Sequence, residues 1–301
     1  MYHCAIIGAG AVGGLLAALL SQHSKVCFVD PRIVRESSLA LTLTPFATDK
    51  STQLHSRLPL LNTIPSCRWL IICVKAHQVA SAVAALTIPA DCKVILMVNG
   101  LGAHQDLINQ LNPEQLYLAS NTHGALVLSK SQQALHIKHT GLGKIDLGSY
   151  LGNSEPDELS LLNEALAPLD WHNNIYPALW LKLAINCCIN PLTAIHNCPN
   201  GDLLNSNYQQ TLEALCQELS LVAEHEGITL STEYLLQTVR LVAQNTAANY
   251  SSMHQDIHHQ RTSEINYINA YVLQRAKQFQ LHCPYNKKML EQIKKLEQQY
   301  D

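Results

Sequence analysis

A glycine-rich turn near the start of the chain has the spacing that binds phosphate groups. Gly8, Gly10 and Gly13 form a G-x-G-x-x-G pattern between apolar runs at residues 3–7 and 15–20. The first glycine permits a tight turn, the second lets the backbone approach a pyrophosphate, and the third lets helix and strand pack closely. Because strand, turn and helix N-terminus occur in this order, the pattern predicts a dinucleotide site. The predicted turn comprises Gly8, Ala9, Gly10, Ala11, Val12 and Gly13.

The next apolar run is followed by two charged residues that favour different forms of the cofactor. Asp30 lies about twenty residues beyond the glycine turn, where a carboxylate bonds the ribose 2′-hydroxyl of NAD. Arg32 follows two residues later, and a guanidinium there can pair with the 2′-phosphate of NADP. A solvated loop arginine is a common alternative for Arg32. Because Asp30 and Arg32 argue in opposite directions, these residues by themselves leave the choice between NAD and NADP open.

Two further polar residues follow apolar runs of the same kind. Lys75 comes after the run at residues 69–74, and Asn99 comes after the run at residues 93–98. Open α/β sheets bind ligands at the carboxyl ends of their parallel strands, so both residues are candidates for the site. The alternatives are a solvent-facing lysine and a simple Asn-Gly turn.

The most informative segment is an apolar helical pattern that carries one polar stripe. Lys182, Asn186 and Asn190 recur at i, i+4 and i+8, so they lie on one face of a helix predicted over residues 178–190. Burying a lysine and two amides without partners would cost several kcal/mol, so we expect the stripe to face a polar cavity or a ligand. An ordinary amphipathic helix whose stripe faces solvent would show the same pattern.

Glu264 and two histidines carry less information. Glu264 falls in the first turn of a helix predicted over residues 262–279, where a carboxylate also favours the helix dipole. His254 and His258 have the i, i+4 spacing of metal ligands on a helix. Neither a third ligand nor an H-E-x-x-H pattern accompanies them, so we predict no metal site.

These residues require a parallel sheet followed by a helical region. Apolar runs at residues 3–7, 25–29, 69–74, 93–98 and 116–120 alternate with helical patterns at 12–21, 77–86 and 103–111, which predicts crossover connections. Alternating segments between residues 124 and 150 predict antiparallel edge strands. From residue 155 we expect helices only, at 155–166, 178–190, 208–226, 231–249, 262–279 and 285–300. The predicted domains are residues 1–170 and 171–301.

Length, composition and charge disfavour several classes of protein. The 301 residues are 47% hydrophobic and 14% charged, which is enough apolar material for two folded domains. The 20 basic and 23 acidic residues leave a net charge of −3, so nucleic acid and anionic membranes are poor candidate partners. The ten cysteines include no C-x-x-C pair, which is typical of buried thiols in a reducing compartment. The sequence shows neither a signal peptide nor an apolar stretch near the roughly 20 residues of a membrane span, so we expect a cytoplasmic protein.

The ordered blocks of the second half resemble the ketopantoate reductases, or 2-dehydropantoate 2-reductases, a family of pantothenate biosynthesis. The resemblance covers essentially the whole chain and is densest at residues 171–175, 180–195, 197–201 and 251–268. It implies an α/β fold with an N-terminal Rossmann-type parallel-sheet domain and a C-terminal all-helical domain like that of 6-phosphogluconate dehydrogenases, with a cleft between them. It also implies reduction of ketopantoate to pantoate by NADPH.

The resemblance assigns roles to particular positions of this chain. Lys182 matches the family's catalytic lysine, and Glu264 matches the glutamate of its site. The positions that match substrate-contacting residues are Asn99, Asn186, Asn190, Asn200 and Ser252. Outside the glycine turn, the positions that match cofactor-contacting residues are Arg32, Lys75, Asn99, Ala125 and Glu264. Arg32 implies NADP(H), whereas Asp30 departs from the family's pattern.

Two other functions use the same features. A reductase of another 2-oxo acid or of an imine would share the fold. A non-catalytic NADP(H)-sensing protein would share the glycine turn, but it would need neither Lys182 nor Glu264. The partner implied by the resemblance is the small molecule ketopantoate, and we expect no nucleic acid or membrane partner for a monomeric or homodimeric protein.

Overall fold

The chain forms two compact units. A computed structural model of the protein describes residues 1–46 and 52–300. The first unit comprises Met1–Val98 and Ala103–Ile175, and the second comprises Asn99–Gly102 and Tyr176–Asp301. The short loop Asn99–Gly102 therefore belongs to the second unit, although the chain on either side of it belongs to the first.

The first unit is built on one mixed sheet. Its described strands are β1 (Tyr2–Ile7), β2 (Val26–Val29), β3 (Ser37–Thr44), β4 (Leu54–Leu61), β5 (Cys67–Ile72), β6 (Lys93–Leu96), β7 (Leu116–Asn121), β8 (Gly124–Lys130), β9 (Ala134–Gly141), β10 (Ile145–Ser149) and β11 (Leu169–Trp171). They are ordered β11-β10-β7-β6-β5-β1-β2-β4-β3-β9-β8 across the sheet. The helices of this unit are α1 (Ala11–Leu20), α2 (Val79–Val83), α3 (Gln105–Ile108) and α4 (Ser160–Leu166).

The centre of the sheet is parallel, which confirms the prediction from the apolar runs. β2, β1, β5, β6 and β7 pair in parallel along this part of the sheet. Ile6 of β1, Leu16 of α1 and Ile71 of β5 belong to the same buried apolar cluster. A strand covered on both faces needs apolar residues at successive positions, which is why these strands are continuous apolar runs.

The hairpin of β3 and β4 was not predicted from the sequence. β3 pairs antiparallel with β4, and β4 pairs in parallel with β2. Leu39, Leu41 and Leu43 of β3 are buried and alternate with half-buried residues. This period of two is the signal of a half-buried strand and was present in the sequence.

The prediction of antiparallel strands after residue 124 is confirmed, but placing them all at an edge was wrong. β8 and β9 form an antiparallel hairpin, and β8 is the last strand of the sheet. β9 also pairs in parallel with β3. β10 lies between β7 and β11, so it is not an edge strand, and it is buried at every residue.

The second unit is helical. Its described helices are α5 (Tyr176–His196), α6 (Ser206–His225), α7 (Thr232–Asn245), α8 (Ser252–His258), α9 (Asn269–Gln278) and α10 (Pro284–Glu297). α5 packs against α6, α7, α8 and α10, so it is the central helix of the unit. Leu183 and Cys187 on α5 are almost completely buried, as expected for a helix surrounded by others.

Two expectations about the second half were wrong. Helices alone were expected from residue 155, yet β11 follows α4 and pairs in parallel with β10. The helix predicted over residues 262–279 is instead a 3₁₀ turn at Ile265–Tyr267 followed by α9. Ile268 has φ −110° and ψ −97°, which interrupts the helix. The next residue, Asn269, is buried and donates from Nδ2 to the carbonyl oxygen of Cys187 at 3.2 Å, which ties the start of α9 to α5.

α5 also corrects the expectation that no apolar stretch approaches the length of a membrane span. Within the described ranges it is the one helix long and apolar enough, and 67% of its most apolar window is buried inside the protein. Burial of this extent is typical of the core helix of a folded unit.

All ten cysteines are free thiols, and only Cys73 is not fully buried.

Candidate functional site

The glycine turn joins β1 to α1 and leaves the helix N-terminus open. Gly8 has φ +116°, and a Cβ on Gly13 would overlap the carbonyl oxygen of Gly8, so neither position tolerates a side chain. A Cβ on Gly10, in contrast, would meet no described atom within 4 Å. No described side chain caps α1, whose first N–H groups are therefore available to an anion. This cradle fits a pyrophosphate.

Asp30 and Arg32 form an ion pair just beyond β2. Arg32 donates from Nε to Oδ1 and from Nη2 to Oδ2 of Asp30, both at 2.8 Å. These hydrogen bonds hold the pKa of Asp30 below its ordinary value and raise the pKa of Arg32. The side chain of Arg32 remains 85% exposed. The arginine predicted to select the phosphorylated cofactor is thus paired with a carboxylate.

A third charged residue lies at the same place and was missed by the sequence reasoning. Lys130, the last residue of β8, donates from Nζ to the carbonyl oxygen of Ala9 at 2.6 Å. Loss of water around the ammonium and repulsion from Arg32 lower the pKa of Lys130, whereas attraction to Asp30 raises it. Lys130 and Ala9 are 121 residues apart, so no local pattern could have revealed the contact.

Lys75 and Ala125, the other cofactor candidates in this unit, are both half-buried. Lys75 follows β5 and directly precedes a 3₁₀ turn at Ala76–Gln78. Because β5 pairs in parallel with β1, Lys75 lies at the same edge of the sheet as the glycine turn. Ala125 lies in β8, opposite His139 of β9.

In the second unit, Asn99 and Glu264 are in direct contact. Asn99 donates from Nδ2 to Oε2 of Glu264 at 3.0 Å, and Glu264 is only 3% exposed. The backbone N–H of Leu101 donates to the carbonyl oxygen of Tyr267 at 2.8 Å and ties the same loop to the 3₁₀ turn. The sequence singled out Asn99 and Glu264 separately, but they are 165 residues apart and their contact was not predicted. Glu264 precedes a 3₁₀ turn, so its placement in the first turn of an α-helix was wrong.

The polar stripe of α5 lies partly inside the second unit. Lys182 and Asn186 are half-buried, and Asn190 is 6% exposed. Burial therefore deepens along the stripe from Lys182 towards Asn190. An ordinary solvent-facing stripe would leave all three side chains exposed, so the structure favours the alternative of a partly enclosed polar face.

Asn200 and Ser252 occupy different surroundings. Asn200 is buried and donates from Nδ2 to Oγ1 of Thr246 at 2.9 Å, while its Oδ1 has no hydrogen-bond partner among the described residues. A buried amide oxygen without a protein partner is a candidate acceptor for a ligand hydroxyl or an ordered water. Ser252 is exposed, and the residue before it, Ser251, caps α8 by accepting from the backbone N–H of His254 at 3.1 Å.

One described cluster in the first unit carries metal-ligating groups. Asp146, Asp170 and His172 bring their ligand atoms within 4.8 Å of one another. Nζ of Lys144 lies 2.8 Å from a carboxylate oxygen of each aspartate, and Nε2 of His172 lies 2.7 Å from Oδ1 of Asp146. The ammonium supplies the positive charge that these carboxylates need, so we assign no metal to the cluster.

Family comparisons agree over both halves of the chain. Residues 4–152 match the family model described as ketopantoate reductase PanE/ApbA, and residues 174–297 match the model of its C-terminal part. A 2-dehydropantoate 2-reductase from Vibrio cholerae is 37% identical over 299 residues, which cover 98% of each chain.

Two solved structures of other proteins share the fold of this chain. The structure of a probable 2-dehydropantoate 2-reductase from Bacillus subtilis has a TM-score of 0.79 at 28% identity and covers 98% of this chain and 99% of that one. A ternary structure of D-mandelate dehydrogenase with NADH and anilino(oxo)acetate has a TM-score of 0.84 at 21% identity, with 99% of both chains covered. At that identity the second likeness concerns the fold alone.

Proposed function

This chain belongs to the ketopantoate reductase family, and on that premise we propose that it reduces ketopantoate to pantoate with NADPH in pantothenate biosynthesis. The reaction needs a hydride donor, a proton donor for the ketone oxygen, and groups that orient a 2-oxo acid. The hydride comes from the cofactor, and the chain carries side chains suited to the other two tasks.

The observation that carries the proposal is the partly buried polar stripe of α5. Lys182, Asn186 and Asn190 present one ammonium and two amides on the face of a core helix. Such a stripe places one charged and two neutral polar side chains on a partly buried helix face, where a polar ligand can form hydrogen bonds with them. Ketopantoate, with a carboxylate, a ketone and a hydroxyl, has the matching acceptors and donor.

Cofactor binding is the role we propose for the first unit and for predicted domain 1–170. The open N-terminus of α1 and the empty space beside Gly10 suit a pyrophosphate, and Arg32 suits a 2′-phosphate. Lys75 and Ala125 are the other proposed cofactor contacts of the first unit. Asn99 and Glu264 are the proposed cofactor contacts of the second unit. When bound, NADPH supplies the hydride for the C2 ketone.

Lys182 is the proposed catalytic acid. Its ammonium stabilises the negative charge that grows on the ketone oxygen and delivers a proton to that oxygen. A lysine suits both tasks, because it carries three N–H donors on a long and adjustable stem.

The remaining residues orient the substrate. They lie in predicted domain 171–301 and in the loop Asn99–Gly102. The amides of Asn186 and Asn190 bond the carboxylate and ketone, and the unpaired Oδ1 of Asn200 accepts from the substrate hydroxyl. Ser252 provides a further hydroxyl. Glu264, already bonded to Asn99, holds Lys182 or the substrate hydroxyl in position.

The substrate is a small molecule, and we propose a cytoplasmic protein that is a monomer or a homodimer. Because the net charge is only −3, no strong electrostatic attraction to polyanions is expected. Light scattering coupled to size-exclusion chromatography would determine the number of chains.

The direct test is oxidation of NADPH, followed by its absorbance, when ketopantoate is added to the purified protein. We expect turnover with ketopantoate and much less with the analogue that has hydrogen in place of its hydroxyl group. Loss of the hydroxyl leaves the groups that bind it unpaired, which commonly costs far more than the loss of a methylene.

A panel of 2-oxo acids keeps the test decisive. Phenylglyoxylate, the 2-oxo acid that corresponds to mandelate, is the informative competitor. Faster reduction of phenylglyoxylate than of ketopantoate would replace the proposed substrate, and NADPH binding without any reduction would favour the sensing protein.

A further inference from the structure

The ion pair of Asp30 and Arg32 is unfavourable for a cofactor with a 2′-phosphate. The carboxylate bonds Nε and Nη2 of the guanidinium, and it would also repel an incoming dianion. The pair by itself carries no net charge. A site made of these two residues alone would give the phosphate little electrostatic gain over the ribose hydroxyl of NADH.

Lys130 changes the charge at this place. Its ammonium is held at the glycine turn by the 2.6 Å hydrogen bond to the carbonyl oxygen of Ala9. It is close enough to Asp30 and Arg32 for its charge to act on both. With Lys130 counted, the group of three carries one net positive charge.

The position of the ammonium is also set by the sheet. Lys130 ends β8, and β8 is held by antiparallel pairing with β9, including Lys130 opposite Leu135. Leu135 is buried at 1% exposure, so this end of the hairpin is anchored in the core of the first unit. Lys130 is therefore a positioned charge rather than a residue of a free loop.

We propose that Lys130 is a second phosphate-recognition residue, which acts with Arg32 to select the cofactor with a 2′-phosphate in spite of Asp30. The proposal rests on the proposed function, because it assumes that the glycine turn binds a dinucleotide. Two cations near one carboxylate leave one net positive charge, and the N–H groups of Arg32 and Lys130 that do not bond Asp30 or Ala9 can donate to a phosphate.

A purely structural role for Lys130 predicts a different result. If the ammonium only fastened the glycine turn through Ala9, its loss would weaken NADPH and NADH to the same extent, because both contain the pyrophosphate. If the ammonium recognises the phosphate, its loss weakens NADPH alone. The ratio of the two dissociation constants separates the two roles.

The experiment measures the dissociation constants of NADPH and NADH from nicotinamide fluorescence, for the wild type and three variants. Lys130→Gln removes the charge and keeps the length of the side chain. Lys130→Arg keeps the charge. Lys138→Gln is the matched control, because Lys138 is an exposed lysine on the adjacent strand β9.

For Lys130→Gln we expect NADPH to bind at least about tenfold more weakly, with NADH changed by less than about twofold. Lys130→Arg should retain most of the preference, and Lys138→Gln should bind both cofactors as the wild type does. Adding Asp30→Asn to Lys130→Gln restores the net positive charge, so the preference for NADPH should partly return.

Equal losses of NADPH and NADH in Lys130→Gln, or no loss of either, would overturn the proposal. Because the readout is binding, it is independent of the substrate. A wild-type protein that binds NADPH through Lys130 but reduces no ketopantoate would refute the proposed function and leave this inference standing.

Discussion

The chemical role that we propose for Lys182 depends on its surroundings. It is half-buried on the central helix of the second unit, one turn away from Asn186 and two turns from Asn190. These neighbours are neutral, so they donate and accept hydrogen bonds without competing with the ammonium for a negative charge. The stripe therefore combines one charge that can stabilise an oxyanion with amides that can orient its carrier.

Replacing Lys182 by alanine should lower turnover of ketopantoate by roughly 10²–10⁴, because the proton donor and the oxyanion partner are lost together. NADPH affinity should stay close to that of the wild type. Steady-state kinetics with a parallel fluorescence titration of NADPH would measure both quantities. Lys288→Ala, at an exposed lysine of α10, is the control for loss of a lysine. Unimpaired turnover of Lys182→Ala would remove this residue from the mechanism.

Replacing Glu264 by glutamine keeps the size of the side chain and an oxygen that can accept from Asn99. The melting temperature should therefore stay close to that of the wild type. If Glu264 orients Lys182 or the substrate hydroxyl, kcat/KM should fall at least about tenfold, which equals about 1.4 kcal/mol of transition-state stabilisation. Thermal melting and kinetics on the same preparation are the measurement. Early melting with full specific activity would reduce Glu264 to a structural residue.

At the scale of elements, the loop Asn99–Gly102 and the 3₁₀ turn Ile265–Tyr267 act as one structural piece. Asn99 bonds Glu264 by its side chain, and Leu101 bonds the carbonyl oxygen of Tyr267 by its backbone. Gly100 lies between these two bonds with φ +80°, and a Cβ there would overlap the same carbonyl oxygen. The close approach that brings Asn99 to Glu264 thus depends on a glycine.

Gly100→Ala should destabilise the protein by about 3 kcal/mol or more, since it adds a backbone clash to the cost of a left-handed conformation. Gly227→Ala is the matched control, because Gly227 has φ +75° and no described atom within 4 Å of its Cβ position. It should cost only about 1 kcal/mol. Urea unfolding would measure both free energies. Equal costs would contradict a close packing of Gly100 against Tyr267 in solution.

For the whole molecule, buried histidines determine how stability responds to mild acid. His104, His139 and His254 are less than a tenth exposed. Burial is the first cause that lowers the pKa of each below its ordinary value of 6.5, and for His254 repulsion from nearby histidines adds to it. A folded protein that binds these protons more weakly than the unfolded chain is destabilised when they bind.

The melting temperature should be lower at about pH 5 than at about pH 7. The stability contributed by these histidines is fully present above about pH 6.5 and is lost as pH falls below that value towards the folded pKa. Thermal melting at the two pH values measures the effect. His104→Gln should reduce the difference, and His282→Gln, at an exposed histidine, should not. A melting temperature that is the same at both pH values would contradict this account.

Carboxylates respond only in stronger acid. Hydrogen bonds from Lys144 hold the pKa of Asp170 below its ordinary value, and those from Lys93 do the same for Glu158. Their contribution is present above about pH 4 and is lost below it, so it does not interfere with the histidine transition.

Much of the fold and of the candidate site was determined by the sequence alone. The glycine turn, the apolar runs of the central strands and the stripe of Lys182, Asn186 and Asn190 are local features, since each is encoded by residue types and spacing within about twenty residues. Periodicity along one strand or helix decides which of its faces is buried, and that information is contained in the segment itself.

Only the tertiary structure decided which distant groups meet. The contact of Lys130 with Ala9 joins residues 121 apart, and that of Asn99 with Glu264 joins residues 165 apart. β11 likewise depends on β10 for its pairing, although the sequence around it reads as the start of a helical region. Such contacts arise from the packing of a whole unit. No short window of sequence contains that packing, because a hydrophobic pattern says that a face is buried but not against which partner.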